Sequence, residues 1–248
     1  MTNMNSIPLK RIRLVHAHNV RDLGGYVTLE NKIVRWNRLF RSDSLHLLEK
    51  EEWEILSQRG IRTIIDLRSE TEIKNSPDKI PEGMEWIECP LQEEQINMQN
   101  LSEDALKAFT KSLETGYAHM IDNHPELFAK AIKTVITQLP KGAVLFHCSA
   151  GKDRTGILAA ALLWLVQVEK EDITADYEVS YTYNSQGINR MAQQMIPEFE
   201  KIEPLLRSDA INMERLVNYF EELPLKKLLL ENGIEETDFQ SLEKEILG

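Results

Sequence analysis

The segment "AVLFHCSAGKDRTGILAAALLWLV", which begins at Ala143 and ends at Val166, constrains this sequence more than any other. Its first four residues are apolar and too few for anything but a buried strand. Its last ten are apolar almost all round, which is typical of a helix at the centre of a domain. The segment therefore predicts a strand, a tight loop of small residues, and a buried helix that begins near Arg154.

The loop "HCSAGKDRTG" has the features of an anion site. Its backbone N–H groups can point at one centre, and the helix that follows adds the positive end of its dipole. The charges of Lys152 and Arg154 favour the thiolate form of Cys148. A guanidinium six residues after that cysteine can hold two oxygens of a tetrahedral dianion by parallel hydrogen bonds. The GxxxxGK[ST] pattern of nucleotide-binding loops is absent, so we predict that Cys148 attacks a bound phosphate.

Other segments predict an α/β arrangement. Strands and helices alternate through the first two thirds of the chain, and helices follow from about Asp172 to the end. Buried strands are predicted at "IRTIIDLR" and "MEWIECPL", and a hairpin or two short strands within "GYVTLENKIVRWNRLFRS". Helices are predicted at "SLHLLEKEEWEILSQRG", "DALKAFTKSLETGYAHMI" and "ELFAKAIKTVITQL". The predicted fold is a short central sheet flanked by helices, with a helical C-terminal part.

Composition excludes several classes of function. The chain has 29 Lys and Arg against 40 Asp and Glu, and its net charge of −11 disfavours nucleic acid as a partner. The longest apolar run, Ile157 to Val166, is too short to span a membrane, and the N-terminus lacks a secretory signal, so a cytoplasmic location is expected. Two cysteines without ligand spacing predict neither a disulfide framework nor a metal site. We expect one domain over residues 1–248, with residues 1–10 flexible and residues 91–104 forming a long loop of the kind that covers active sites.

The loop resembles the HCxxGxxRTG motif of the cysteine-dependent protein tyrosine phosphatase superfamily. More narrowly, five further stretches resemble, in order, the bacterial tyrosine/serine phosphatases that also accept phosphoinositides: "NVRDLGGY", "LFRSDSL", "IIDLRSETE", "ITADYEVS" and "LKKLLLENGI". The likeness covers roughly residues 10 to 248. It implies a protein tyrosine phosphatase-like fold with a mostly parallel sheet. It also implies a phosphorylated protein as substrate, phosphotyrosine first and phosphoserine or phosphothreonine second, with a phosphoinositide as the alternative.

The resemblance also implies a two-step mechanism that needs no metal and no cofactor. Cys148 forms a cysteinyl-phosphate, which water then hydrolyses. The phosphate oxygens are held by Arg154 and by the loop residues Ser149, Ala150, Gly151, Lys152 and Asp153. Thr155 lies where the family's hydroxyl assists the departing thiolate.

The sequence leaves the general acid open among several carboxylates. Asp153 is favoured because it lies in the loop beside Arg154. Glu93 and Glu94 follow the stretch "WIECPL", where many relatives carry an aspartate for this role. Asp66 is a third candidate, although an ion pair with Arg68 explains it as well.

The sequence also offers alternatives for the surrounding residues. His147 is expected to hold the loop backbone, and Lys152 either contacts acidic groups of the substrate or is a solvated surface lysine. Arg21 and Asp22 are predicted to form a buried polar pair. Arg41, Asp43, Arg68 and Glu72 are predicted to brace the site. Cys89 is predicted to be a packed strand cysteine, with a reversible disulfide to Cys148 as the alternative.

Two other functions are compatible with a cysteine in an anion-binding loop. One is a phosphate-binding module without catalysis, which the presence of Cys148, Arg154 and Thr155 together disfavours. The other is a sulfur-transfer or oxyanion-reducing enzyme, which the "RTG" continuation disfavours. The sequence gives no indication of the oligomeric state.

Overall fold

The structure is a computed structural model that describes residues 9–91, 116–196 and 199–248. Its centre is a five-stranded sheet with the order β1-β2-β5-β3-β4. The strands are β1 (Arg21–Asp22), β2 (Leu39–Ser42), β3 (Ile61–Asp66), β4 (Glu85–Glu88) and β5 (Ala143–His147). Only the pairing of β1 with β2 is antiparallel among these five strands. The predicted short and mostly parallel sheet is confirmed.

The middle strand, β5, carries the cysteine loop at its end. In the sheet register His147 lies opposite Ser42 of β2 on one side and Asp66 of β3 on the other. Three parallel strands therefore end at one level, and the segments that follow them emerge from the same edge. In open parallel sheets this carboxyl edge is where ligands bind.

Helices cover both faces of the sheet and make up most of the C-terminal part. They are α1 (Lys50–Gln58), α2 (Glu70–Asn75), α3 (Pro125–Gln138), α4 (Asp153–Leu165), α5 (Lys170–Tyr183), α6 (Ile188–Met195), α7 (Phe199–Leu206), α8 (Ala210–Glu222), α9 (Leu225–Glu231) and α10 (Glu236–Ile246), and residues 116–123 are also helical. The helical C-terminal part is confirmed.

The core lies on both sides of the sheet because side chains alternate along each strand. Val144 and Phe146 of β5 face the larger apolar cluster, which includes most of α4, while Leu145 faces a smaller cluster that includes Trp53 of α1. Helix α4 is buried on nearly every side, which confirms the prediction from its composition. It begins at Asp153, one residue before the predicted start.

Three elements differ in detail from their predictions. Helix α1 starts only at Lys50, because Glu49 and Glu52 form a capping box there. It ends as predicted before Gly60, whose φ of +84° suits a glycine. Where a hairpin or two short strands are predicted, the structure has one bridge between Val27 and Ile33 and, at the end of the stretch, strand β2. Strand β4 was predicted to be buried and this is wrong, because it lies at the edge of the sheet and its residues are mostly exposed.

Some predictions fall on residues that the structure does not describe. Of the predicted loop at 91–104 only Leu91 is described, and of the predicted helix "DALKAFTKSLETGYAHMI" only its last six residues are described, as helix. None of the helices in the described ranges combines the length and the apolar character that a membrane span requires.

Candidate active site

The cysteine loop, residues 148–152, connects β5 to α4 and turns at Gly151. That residue has a φ of +64°, in the left-handed region that favours glycine. A Cβ atom there would lie 2.6 Å from the backbone nitrogen of Asp43 and closer still to the carbonyl of Ser42. The loop therefore packs directly on the residues that follow β2, and only a glycine fits at this point.

The loop carbonyl groups are held from outside by side chains and one backbone amide. The oxygen of Ala150 accepts from the Nδ2 atoms of Asn19 at 3.0 Å and Asn184 at 2.9 Å. The oxygen of Gly151 accepts from Asn19 at 3.0 Å and from Nη2 of Arg41 at 2.8 Å. Ser149 accepts from the backbone of Ser44 at 3.1 Å, and Lys152 accepts from Arg41 at 3.4 Å.

These contacts determine where the amide groups point. In a trans peptide the N–H of one residue points away from the carbonyl of the residue before it, and the described residues contain no cis peptide bond. The N–H groups of residues 150–153 therefore face away from the groups that hold the carbonyls of residues 149–152. Amides that are left free in this way at the start of a helix can form a nest that suits an anion.

Cys148 begins the loop, and Arg154 follows it in the chain. The thiol is free, and the cysteine is 2% exposed. Arg154, in the first turn of α4, makes a double ion pair with Glu72, with Nη1 to Oε2 at 2.6 Å and Nη2 to Oε1 at 2.8 Å. Burial disfavours the charged guanidinium, but the hydrogen bonds to Glu72 and the nearby Cys148 raise the pKa of Arg154 above its ordinary value.

Glu72 links the loop to α2. Its Oε1 atom accepts from the hydroxyl of Ser149 at 2.5 Å, and its Oε2 atom accepts from the backbone and hydroxyl of Ser69 at 3.0 Å. Burial alone would raise the pKa of Glu72, but the hydrogen bonds from Arg154 and Ser149 lower it to about 2. Glu72 is therefore ionised at neutral pH, and it fixes the orientation of the Arg154 guanidinium.

Asp176 of α5 supports the opposite side of the loop. Its carboxylate accepts from Nε of Arg21 at 3.0 Å and from Nη1 of Arg41 at 2.6 Å. Burial opposes its charge, but the two arginines hold the pKa of Asp176 well below its usual range. Burial and the charge of Arg21 lower the pKa of Arg41 to about 10, so that Arg41 stays cationic at neutral pH. The carboxylate thus orients the arginine that holds the loop carbonyls.

The predicted pairing of Arg21 with Asp22 is wrong. Arg21 is buried as expected, but its partner is Asp176, 155 residues away in the chain. Asp22 instead accepts from the backbone nitrogens of Gly24 and Asn37, both at 2.7 Å, and so closes the turn that begins at Leu23.

Asp153 is the most accessible of the described acid candidates. About one third of its side chain is exposed, and its Oδ1 atom accepts from the hydroxyl of Tyr117 at 2.5 Å. Tyr117 also lies 2.8 Å from the hydroxyl of Tyr177. Burial and the charge of Asp153 raise the pKa of Tyr117 well above its ordinary value, so the phenol stays a neutral donor.

The other acid candidates are placed differently. Asp66 is fully buried, and both of its carboxylate oxygens accept from Arg68, with Nε to Oδ1 at 2.8 Å and Nη2 to Oδ2 at 2.5 Å. This geometry is the ion pair that the sequence offered as the second interpretation of Asp66. Glu93 and Glu94 lie outside the described residues.

The side chain of Lys152 does not face solvent. It is 3% exposed, and its ammonium donates to the carbonyl oxygens of Leu205 at 2.5 Å and Arg207 at 3.0 Å. The interpretation of Lys152 as a solvated surface lysine is therefore wrong. Its ammonium also lies 3.3 Å from Oδ1 of Asp153, so its charge lies between that carboxylate and the C-terminal end of α7, where the helix dipole is negative.

Three further residues of interest are fully buried. The Thr155 hydroxyl has no hydrogen-bond partner in the described part of the chain, so it is available to a neighbouring group. His147 has its Nδ1 atom 3.2 Å from the carbonyl oxygen of Cys148, which agrees with the predicted contact to the loop backbone. Cys89 is free and lies beside Thr134, with 4.0 Å between the Sγ and Oγ1 atoms.

The sheet order bears on the disulfide alternative. Cys89 follows β4 and Cys148 follows β5, and β3 lies between these two strands. Neighbouring strands are about 4.8 Å apart, so the two Cα atoms are roughly 10 Å apart, whereas a disulfide needs less than about 7 Å. A bond between these cysteines would require the backbone to move.

Besides Asn19, which lies within the quoted stretch "NVRDLGGY", four residues that contact the loop or its neighbours are not predicted from the sequence: Asp78, Tyr117, Asp176 and Asn184. Asp176 lies within the quoted stretch "ITADYEVS", and that stretch is the one signal that could have identified it. The other three stand in segments with no motif. Their contacts with His147, Asp153 and Ala150 join residues at least 34 positions apart, which no local pattern indicates.

A nucleophilic cysteine at the end of a central parallel strand, with an amide nest and an arginine at the start of the next helix, defines the cysteine-based protein tyrosine phosphatase superfamily. The chain belongs to the tyrosine phosphatase family, whose sequence model matches residues 12–248. The resemblance that the sequence indicated is confirmed.

Named relatives agree with this family. The chain is 32% identical over 146 residues to a tyrosine-protein phosphatase of Nostoc commune, an alignment that covers 58% of this chain and 48% of that protein. It is 30% identical over 185 residues to the triple specificity protein phosphatase PtpB of Mycobacterium tuberculosis, over 65% of this chain and 66% of that protein. The matches thus span between about half and two thirds of these relatives. The crystal structure of TpbA from P. aeruginosa is similar at 13% identity with a TM-score of 0.42, over 84% of this chain and 95% of that one.

Proposed function

We propose that this protein hydrolyses phosphate monoesters through a cysteinyl-phosphate formed on Cys148. The observation that carries the proposal is that the loop carbonyls accept from Asn19, Arg41 and Asn184, which leaves the amide groups of residues 150–153 free to form a nest for a phosphate. Arg154, held by Glu72, adds a cationic fork to that nest. Such a site matches the three equatorial oxygens of a phosphoryl group in transfer.

In the first step the sulfur of Cys148 attacks phosphorus while the bond to the leaving oxygen breaks. Asp153 gives a proton to that oxygen, and its accessible position at the start of α4 supports this role. The loop amides and Arg154 hold the equatorial oxygens throughout. The products are the free alcohol or phenol and the cysteinyl-phosphate.

In the second step water attacks phosphorus, its proton passes to Asp153, and the bond from phosphorus to sulfur breaks. The Thr155 hydroxyl, buried and without another partner among the described residues, donates to the departing thiolate. Inorganic phosphate then leaves and the enzyme returns to its starting state. No metal or cofactor is needed for either step.

Phosphotyrosine in a protein is the proposed substrate, with phosphoserine and phosphothreonine also accepted. The broad specificity in the name of the M. tuberculosis relative supports this range. A phosphoinositide is the alternative substrate for the same chemistry. A panel of phosphopeptides and phosphoinositides, compared by kcat/KM, decides between them.

We also propose that residues 1–248 form one domain and that the protein is cytoplasmic.

The test of the reaction is turnover of a generic aryl phosphate without added metal. Cys148→Ser is expected to abolish turnover while circular dichroism shows an intact fold, because a serine hydroxyl is a far weaker acid than a thiol. The matched control is Cys89→Ala, at the other cysteine, which is expected to keep its activity. More than about a hundredth of the wild-type rate in Cys148→Ser would refute covalent catalysis, since acid–base assistance alone gives about 10²–10⁴-fold. An absence of turnover in the wild-type protein would favour a phosphate-binding module.

A further inference from the structure

Four charged side chains form a closed cluster directly beneath the cysteine loop: Asp66, Arg68, Asp78 and His147. Asp66 ends β3, Asp78 lies in the irregular segment after α2, and His147 ends β5. The side chains of all four are no more than 1% exposed. Water therefore cannot neutralise their charges, and they must balance one another.

Arg68 connects the two carboxylates. Its Nη2 atom lies 2.5 Å from Oδ2 of Asp66 and 2.9 Å from Oδ2 of Asp78. Asp66, Asp78 and His147 are close enough together to hold a metal ion. The guanidinium of Arg68 already supplies a cation between the two carboxylates, so this cluster is an ion-pair network.

Charge balance indicates the state of His147. Two ionised carboxylates and one guanidinium leave one negative charge in a place without water, and an imidazolium would cancel it. The Nε2 atom of His147 lies 3.0 Å from Oδ2 of Asp78 and 3.7 Å from Oδ2 of Asp66. Its Nδ1 atom lies 3.2 Å from the carbonyl oxygen of Cys148. Among the described residues Nε2 has no hydrogen-bond partner, so its contact with Asp78 is an ion pair, and the buried negative charge favours the imidazolium.

We propose that Asp78 is a positioning residue that keeps His147 doubly protonated beneath Cys148, so that the imidazolium holds the Cys148 peptide. The inference rests on the proposed function of the loop. Asp78 touches no reacting atom and acts through His147 alone. The imidazolium places a positive charge one residue from Cys148. It also holds the carbonyl group of Cys148 and so fixes the backbone that carries the thiol.

The groups that face His147 give the direction of its titration. Burial disfavours the imidazolium, but the charges of Asp66 and Asp78 outweigh it and raise the pKa of His147 above its ordinary value. Arg68 opposes them, and a further titratable neighbour is His46 after β2, a half-buried histidine whose pKa is lowered by burial. A raised pKa means that the imidazolium persists to higher pH. Removal of Asp78 would leave Asp66 to balance Arg68, and His147 would then lose its proton at lower pH.

The test is Asp78→Asn, which keeps the shape of the side chain and removes its charge. The rate with an aryl phosphate and the ring signals of isotopically labelled histidine are measured against pH, and the His147 signal is assigned by its loss in His147→Gln. The variant is expected to lose activity as pH rises, with a midpoint lower than that of the wild type by on the order of one pH unit. The His147 titration is expected to shift with it. Asp78→Glu is expected to restore most of both shifts.

The control is Glu82→Gln, an exposed carboxylate of the same segment, which is expected to change neither profile. An unshifted His147 titration in Asp78→Asn overturns the proposal, and so does a loss of activity that is equal at every pH. If Asp78→Asn does not fold, the wild-type spectrum decides, because a neutral His147 tautomer at neutral pH also contradicts the proposal. Failure of the proposed function appears differently, as wild-type protein without turnover whose His147 titration can still be measured.

Discussion

Arg154 and Glu72 form a bidentate ion pair, with Nη1 2.6 Å from Oε2 and Nη2 2.8 Å from Oε1. A guanidinium carries five N–H donors, so the pair leaves donors free for a phosphate. Because Glu72 is itself held by Ser69 at the start of α2, the direction of the arginine is set before any substrate binds. Preorganisation of this kind is what stabilises a transition state rather than a ground state.

Arg154→Lys is expected to lower both the affinity for inorganic phosphate and kcat. Lysine keeps the charge but cannot hold Glu72 and a phosphate with one planar group. Loss of one positioned donor costs roughly 3 to 4 kcal/mol, about 10²–10³-fold in rate. Steady-state kinetics with an aryl phosphate and titration with inorganic phosphate measure the two effects. Near-normal values for both would show that the arginine has only a structural role.

Glu72→Gln is expected to destabilise the protein at neutral pH and to have less effect in acid. The pKa of Glu72 is depressed from 4.5 to about 2, so its contribution to stability is present above about pH 4.5 and is lost as pH falls toward 2. Removal of one partner of a buried ion pair costs about 3–5 kcal/mol. Urea unfolding of both proteins between pH 7 and pH 2 gives the difference in free energy of unfolding as a function of pH. A difference that stays constant over this range would contradict the prediction.

The control for this comparison lies on the same helix. Glu70 pairs with Lys74 at 2.5 Å, but both side chains are at least 70% exposed. Because solvent screens such a pair, Glu70→Gln is expected to leave the free energy of unfolding nearly unchanged. A large effect of Glu70→Gln would mean that the loss in Glu72→Gln reflects α2 as a whole.

Gly151→Ala is expected to distort the amide nest. The new methyl group would collide with the backbone of Ser42 and Asp43, and neither can retreat without moving β2. A shift of about 1 Å in a catalytic group can cost on the order of 10²-fold in rate.

Gly83→Ala is the matched control, since Gly83 has a φ of +89° but open space around its Cβ position. It is expected to lose about 1–2 kcal/mol of stability from the backbone strain alone and to keep its activity. Equal kinetic losses in the two variants would contradict the role given to the close contact.

Asp153→Asn is expected to slow an alkyl phosphate far more than an activated aryl phosphate. An alkoxide is a poor leaving group and needs the proton, whereas an activated phenolate departs without one. The ratio of the two effects on kcat/KM, measured against wild type, is the quantity of interest. An equal slowing of both substrates would show that Asp153 only orders the loop.

The controls for the acid are the other candidate carboxylates. Glu93→Gln and Glu94→Gln are expected to show no dependence on the leaving group. If either does, and Asp153→Asn does not, the acid lies on the segment after "WIECPL". If none of the three does, Asp66→Asn is the next variant, with its fold checked first because Asp66 holds Arg68.

The sequence by itself determined the strand, loop and helix around Cys148. These elements depend on neighbouring residues: an apolar run of strand length, a glycine with positive φ, and a helix whose residues are apolar on all sides. The alternation of such runs also predicted the α/β class and the helical C-terminal part. Local periodicity and composition carry this information because they report which residues must leave water.

Only the tertiary structure decided which charged groups meet. The sequence offered Asp22 as the partner of Arg21, yet the fold brings Asp176 from 155 residues away, and Tyr117 reaches Asp153 across 36. It also turns Lys152 toward the carbonyl oxygens at the end of α7 and buries Asp78 beneath the loop. An ionic side chain has many candidate partners in a chain with 40 acidic residues, and its sequence neighbours do not distinguish among them. The choice follows from the order in which the strands lie side by side, because burial leaves each charge only the partners that the fold brings within hydrogen-bond distance.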